Sequence, residues 1–267
     1  MSVATAHLAT VGPAVALETR NLTIRFGGHV AVDDVTCAFG PGELTAIVGP
    51  NGAGKTTFFN LISGQLRASA GQVLLNGVDV TRESAAHRAR RGLGRAFQLT
   101  NLFPNLSVRE NVRLAVQAAS NVHYDMLRPW ATRRGLILRA DEILDEVALA
   151  RRGDATAAAL SHGDQRKLEV ALMMALAPKV FMFDEPTAGM SIDEAPVVLD
   201  LIARLKQDRT KIILLVEHKM DVVRSLADRI IVLTNGRLVA DGEPAAVIAS
   251  PVVQEAYLGV ARSRSAA

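Results

Sequence analysis

The run Gly49-Pro50-Asn51-Gly52-Ala53-Gly54-Lys55-Thr56-Thr57 constrains this chain more than any other stretch. It fits G-x-x-x-x-G-K-[ST], in which glycines let the backbone curl until its N–H groups face a phosphate. The apolar Leu44-Thr45-Ala46-Ile47-Val48 before it reads as a buried strand, and Phe58-Phe59-Asn60-Leu61-Ile62 after it opens a helix. That context matters, because a helix start adds unpaired N–H donors and the positive end of its dipole. Lys55 is placed to reach β and γ phosphates, and the Thr56 hydroxyl to bind Mg²⁺. An ordinary Gly-rich turn is the competing reading, and the strand–loop–helix order argues against it.

A second phosphate-chemistry pattern follows in Val180-Phe181-Met182-Phe183-Asp184-Glu185. An apolar strand ends in two carboxylates, and open α/β sheets place ligands at the carboxyl ends of their strands. Asp184 is therefore placed to act on the cation held by Thr56, and Glu185 to serve as general base for water attacking a γ-phosphate. Just upstream, Leu160-Ser161-His162-Gly163-Asp164-Gln165 precedes Lys167–Met174. Ser161 is a cap for that helix, and a Ser and a Gly at a helix start make an anion site.

The rest of the chain frames these motifs. Val15–Glu18, Leu22–Phe26 and Val35–Phe39 read as strands, with Gly27-Gly28 as a turn, and Gly71–Gly77 adds a strand ending in an Asn-Gly turn. Together they predict an antiparallel sheet flanking the phosphate-binding unit. Ser107 to Leu149 reads as helical, with Ser107 as N-cap and Glu110 completing a capping box. Val180–Phe183 and Ile212–Val216 are short apolar runs of the kind found in central parallel strands. Helices are expected around Glu194–Lys206 and Met220–Ala227, and Asn235-Gly236 marks a hairpin between Ile230–Leu233 and Arg237–Ala240.

Composition sets outer bounds. The 267 residues suffice for one large or two modest domains. A charge of +3 does not by itself argue for nucleic acid. The single Cys37 excludes an intramolecular disulfide, suits a reducing compartment and reads as a buried, inert thiol. Met1–Pro13 carries no signal-peptide pattern, and no apolar run approaches the roughly 20 residues of a membrane span. A cytoplasmic protein that meets a membrane through partners is the expectation.

Taken together, the motifs resemble those of ABC transporter ATP-binding subunits over nearly the whole chain. Gly49–Thr57 matches Walker A, Gln98 in Arg95-Ala96-Phe97-Gln98 the Q-loop, and Leu160–Gln165 the signature. Phe181–Glu185 matches Walker B with its following glutamate, Gly189–Asp193 the D-loop, and His218 in Val216-Glu217-His218 the switch histidine. Phe26 sits where an aromatic residue stacks on adenine. Two motifs depart from the common pattern. The signature carries His162 and Asp164 where LSGGQ has Gly and Gln, and the D-loop reads Gly-Met-Ser-Ile-Asp. Both are similar to variants in the branched-chain (hydrophobic) amino acid uptake family, of the larger ATPase subunit type. Arg91–Gln98 running into Leu102–Val108, the insertion Val122–Arg139 and the ending Ala256–Gly259 point the same way.

The resemblance implies an α/β fold: a P-loop NTPase (RecA-like) core with an antiparallel β subdomain and an inserted α-helical subdomain. Residues 14–96 would form the first part of the core with the β subdomain, 97–177 the helical subdomain with the signature, and 178–260 the second part of the core with a C-terminal extension. It implies ATP and Mg²⁺ as cofactors. Phe26, Gly49, Pro50, Asn51, Gly52, Ala53, Gly54, Lys55, Thr56, Thr57, Gln98 and Asp184 would line one nucleotide. Ser161, Gly163 and Asp164 would reach the nucleotide of a second ATP-binding subunit, the same chain or a different one. Thr56, Gln98 and Asp184 would attend the metal, and Lys55, Glu185 and His218 the reaction. Permease subunits would be the membrane partners, with Gln98–Asn111 forming much of the docking surface. A solute-binding protein would act indirectly, nucleic acid would have no part, and the location would be peripheral, on the cytoplasmic side of the inner membrane.

Several features take plainer readings. His87-Arg88-Ala89-Arg90-Arg91 reads as a solvated helix face, Tyr124 and Trp130 as packing of the insertion, and Met173-Met174 as core. His162 reads as a signature variant and not a metal ligand. The competing functions are the same engine in another membrane complex such as lipopolysaccharide export, a soluble ABC ATPase acting on ribosomes or DNA, and a P-loop kinase or GTPase. The chain has neither a second ATPase unit nor a long coiled coil, against the soluble class, and the signature and His218 speak against the last.

Overall fold

The computed structural model describes residues 16–96, 102–120, 134–190 and 194–258. The strands among them are β1 (Leu17–Phe26), β2 (His29–Phe39), β3 (Glu43–Val48), β4 (Ala70–Leu75), β5 (Val78–Asp79), β6 (Leu93–Ala96), β7 (Val180–Asp184), β8 (Ile212–Val216), β9 (Arg229–Thr234) and β10 (Arg237–Gly242). The helices are α1 (Lys55–Ser63), α2 (Ala85–Arg90), α3 (Val108–Ala119), α4 (Arg134–Glu146), α5 (His162–Leu176), α6 (Ala195–Lys206), α7 (Met220–Leu226), α8 (Pro244–Ala249) and α9 (Pro251–Leu258). Gln98, Ser191–Asp193, Tyr124 and Trp130 lie outside the described residues, as do most of Val122–Arg139 and Met1–Pro13.

Two sheets organise these elements. One is antiparallel, in the order β2-β1-β4-β5. The other runs β10-β9-β3-β8-β7-β6, parallel from β9 through β6 and closed by the antiparallel β10. Every residue of β7 and β8 is buried, as their continuous apolar sequences require of strands covered on both faces.

Their side chains alternate between two cores. Phe181, Phe183, Ile213 and Leu215 pack with α3, α4, α5 and α6. Val180, Met182, Ile212, Leu214 and Val216 pack with Phe58, Phe59, Leu61 and Ile62 of α1 and with the antiparallel sheet. Burying Phe58 and Phe59 alone contributes about 1.5–3 kcal/mol each. The helix start that follows the Gly49–Gly54 loop is thereby fixed on the central sheet.

Three local expectations are revised. Val15–Glu18 and Leu22–Phe26 are not two strands, because β1 runs unbroken from Leu17 to Phe26. Asn21, at φ 48°, forms an irregularity that keeps both halves paired with β2, and its side chain donates to Asp34 Oδ1 at 2.7 Å. Ser107 does cap α3, its Oγ accepting from the Glu110 amide at 3.1 Å. The reciprocal half of the box is not made, because the Glu110 carboxylate takes Arg113 instead, at 2.9 Å. The 87–91 cluster is not a wholly solvated face. Arg88 is 1% exposed and donates to the carbonyls of Leu61 and Ile62, both at 2.6 Å, and of Thr81 at 2.9 Å. It therefore satisfies the orphan carbonyls at the end of α1.

Candidate functional site

The Gly49–Thr57 run leaves the carboxyl end of β3, Asp184 and Glu185 that of β7, and Glu217 and His218 that of β8. β8 lies between β3 and β7, so all three loops emerge side by side. The Glu185 amide donates to Val216 O at 2.9 Å, locking the ends of β7 and β8 together. Glu185 itself holds φ 48°, a left-handed conformation uncommon for a non-glycine residue.

Gly54 caps α1 at φ 94° and offers no side chain; a Cβ there would collide with the Ala31 carbonyl. The Phe58 amide is bonded to Gly54 O at 2.8 Å. The amides of Lys55, Thr56 and Thr57 precede that bond, so helix geometry gives them no acceptor inside α1. Lys55 is 8% exposed, and its Nζ donates to the carbonyls of Gly49 at 2.7 Å and Pro50 at 3.0 Å. Burial depresses its ammonium, opposed by the charges of Glu185 and Asp184. The loop thus presents amides and one cation at a single point, next to two carboxylates.

Asp184 is 6% exposed. Burial raises its carboxyl above the ordinary value, with Arg95 and then Lys55 opposing the rise. Arg95 Nη2 meets Asp184 Oδ2 at 2.8 Å. Beside Asp184, His218 Nδ1 lies 3.8 Å from Glu185 Oε1 and 3.6 Å from Glu217 Oε2. His218 and Glu185 are both partly open to solvent, whereas Glu217 is fully buried.

The donor set fits a phosphate and a hard cation. Amides and an ammonium suit the phosphate. The Thr56 hydroxyl and a carboxylate suit Mg²⁺, which keeps waters and phosphate oxygens among its ligands instead of demanding an all-protein cage. Among the described residues no group of three or more His, Cys, Asp or Glu gathers to form such a cage.

The signature residues sit at the start of α5. Ser161 Oγ accepts from the Asp164 amide at 3.2 Å, and Asp164 pairs with Lys167 at 3.0 Å. Gly163 is buried against the Glu194 carboxylate, which would have to move to admit a Cβ. His162 faces Gly189. Phe26 ends β1 at 49% exposure, an open ring face. Within 102–111, Phe103 and Leu106 are exposed, while Asn111 is buried and pins the loop through the carbonyls of Phe103 at 3.1 Å and Ser107 at 2.9 Å. Two residues that no motif singled out, Arg95 and Glu217, hold the motif residues from behind. A charge within the short β6, for Arg95, and a charge directly after the apolar β8, for Glu217, were their only signals in the sequence.

Comparison with known proteins agrees with this geometry. Residues 32–188 match the ABC transporter family. The chain is 36% identical over 250 residues to BraF of Pseudomonas aeruginosa, covering 92% of this chain and 98% of that protein. It is likewise 36% identical over 250 residues to LivG of Escherichia coli, with the same coverage. Both are described as high-affinity branched-chain amino acid transport ATP-binding proteins. The crystal structure of the ADP conformation of MJ1267, an ATP-binding cassette of an ABC transporter, superposes with a TM-score of 0.77 at 29% identity, covering 92% of this chain and 99% of that one. The chain belongs to the ABC transporter family of ATP-binding cassettes.

Proposed function

We propose that this chain is the ATP-hydrolysing subunit of an uptake transporter for branched-chain or related amino acids or amides. The observation that carries the reading is the meeting of the Lys55 loop, the Asp184–Glu185 pair and His218 at three neighbouring strand ends, in a chain 36% identical over nearly its full length to two branched-chain amino acid transport ATP-binding proteins.

In this reading Lys55 leaves the carbonyls of Gly49 and Pro50 for the β and γ phosphates, and the amides of Lys55, Thr56 and Thr57 take the phosphate oxygens. Phe26 stacks on the adenine. Thr56 and Asp184, with Gln98, attend Mg²⁺, which when bound neutralises charge on the phosphate oxygens. Glu185 accepts a proton from the attacking water as the bond to the γ-phosphorus forms and the bond to the ADP oxygen breaks. His218 stands next to Glu185, placed to bond the γ-phosphate. Ser161, Gly163 and Asp164 serve the nucleotide of a second ATP-binding subunit, so ATP bridges two surfaces and hydrolysis removes the bridge. The chain divides into core and β subdomain at 14–96, helical subdomain at 97–177 and second core part at 178–260. The exposed Phe103 and Leu106 belong to the segment that meets a permease. Among the described residues no helix is long and apolar enough to cross a membrane, which suits a peripheral subunit on the inner face.

The test is purification from native membranes in mild detergent followed by reconstitution. Co-purification of permease subunits and ATP-dependent uptake of leucine, isoleucine or valine into vesicles is expected. ATPase activity with a lipid-export assembly, or with no membrane partner, would overturn the transport role.

A further inference from the structure

Arg95 lies on β6, the outer strand beside β7, in register with Met182. Its side chain is 7% exposed, and that of its partner Asp184 is 5% exposed. Nη2 donates to Asp184 Oδ2 at 2.8 Å, while Nη1 donates to Asn60 Oδ1 at 2.5 Å and to Ser63 Oγ and Gln65 Oε1, both at 2.9 Å. The guanidinium also rests 5.3 Å from the centroid of Phe59. All those other partners come from α1 or the residues just after it. One planar group therefore joins the Asp184 carboxylate to the helix that begins with Lys55 and Thr56.

We propose that Arg95 is a positioning residue, holding Asp184 at a fixed place relative to Thr56 so that both can serve one divalent cation. The inference rests on the nucleotide and metal reading above. Two features make the arrangement more than a buried ion pair. A guanidinium presents five N–H donors in a rigid fork, so it can fix a carboxylate and several acceptors at once. Its anchor points also lie on α1, the element that carries the Thr56 hydroxyl, so the distance between the two oxygen donors is set through Arg95. Partners that orient a metal-bound carboxylate typically matter about 10–100-fold in metal affinity.

The experiment uses the full chain loaded with ADP and titrated with Mn²⁺, free Mn²⁺ being read by its electron paramagnetic resonance signal. Nucleotide affinity is measured separately in EDTA with a fluorescent ADP. Arg95→Met should weaken Mn²⁺ binding about tenfold or more, with metal-free nucleotide affinity within about twofold of the parent. Arg95→Lys should recover part of the loss. In a double-mutant cycle, Arg95→Met added to Asp184→Asn should cost little further, because both remove the same placement. Unchanged Mn²⁺ affinity, an equal fall in metal-free nucleotide binding, or full additivity with Asp184→Asn each overturns the proposal. Should Arg95→Met not fold, Asn60→Ala, which cuts one anchor and keeps the charge pair, decides: weaker Mn²⁺ binding upholds the proposal and parental binding overturns it. A parent chain that binds ADP but no Mn²⁺ overturns the metal site itself, and this inference with it.

Discussion

The fully buried carboxylate of Glu217 accepts the Thr187 hydroxyl at 2.8 Å. Its other oxygen accepts the amides of His218 at 2.8 Å and Lys219 at 3.1 Å. The turn after β7 and the turn after β8 are thus fastened by one side chain, and the backbone under His218 is held by it. Replacing Glu217 with Ala strands buried donors. A loss of about 2–4 kcal/mol of stability is expected, read from chemical denaturation. A loss below about 0.5 kcal/mol would mean that water satisfies the same groups.

Arg88 supplies a second long-range fastening, at the far end of α1. Arg88→Ala removes donors from the Leu61, Ile62 and Thr81 carbonyls and leaves a cavity. We expect about 2–4 kcal/mol of destabilisation, with Arg88→Lys recovering only part because one ammonium cannot span the three carbonyls. A thermal melt that barely moves in Arg88→Ala would contradict the capping role.

For the reaction, Glu185→Gln keeps the shape of the side chain and removes the proposed base. Hydrolysis should fall roughly 10²–10⁴-fold with ATP binding retained. Lys55→Ala should instead weaken ATP binding itself, since it deletes the point charge proposed to meet the phosphates. Single-turnover rates and equilibrium binding, measured side by side, distinguish the two; normal turnover in Glu185→Gln would remove it from the role of base.

Cys37 gives a pH prediction. Burial lifts its thiol from 9.0 to about 12, with Asp241 adding to the rise and Arg229 opposing it. The folded pKa lies above the unfolded one, so the thiol's contribution is fully present below pH 9.0 and is lost as pH climbs toward 12. Relative to Cys37→Ala, the parent should lose about 2 kcal/mol of stability between pH 8 and about pH 10.5. Equal losses in both proteins would show that the thiol ionises alike in the two states. Alkylation of the folded protein at pH 8 should also be slow.

Much of this arrangement was legible in the chain. The strand–loop–helix order around Gly49–Thr57, the apolar β7 and β8, the Asn235-Gly236 hairpin and the Ser107 and Ser161 caps are local patterns, and each formed as read. What escaped notice was settled at long range. Arg88 looked like one of several surface cations until α1 brought its carbonyl end against it. Glu110 had two partners within reach, and Arg113 one helical turn on won over the capping amide. Arg95 and Glu217 gain their meaning only when strands distant in sequence are placed together. The continuity of β1 was hidden because Asn21 looks like a turn residue, and a strand irregularity uses the same backbone conformation as a turn.

The position of β8 between β3 and β7 also bears on how the chain is made. β3 and β7 do not pair with each other; each pairs with β8. While the ribosome has yet to release Ile212–Val216, β3 and β7 lack the strand that pairs with both, although Arg95 already ties Asp184 to α1. Insertion of this one late strand joins β3 to β7 and delivers Glu217 and His218 in the same motion. A nascent chain stalled before Ile212 should therefore bind no nucleotide, so that competence arrives as a single event late in synthesis.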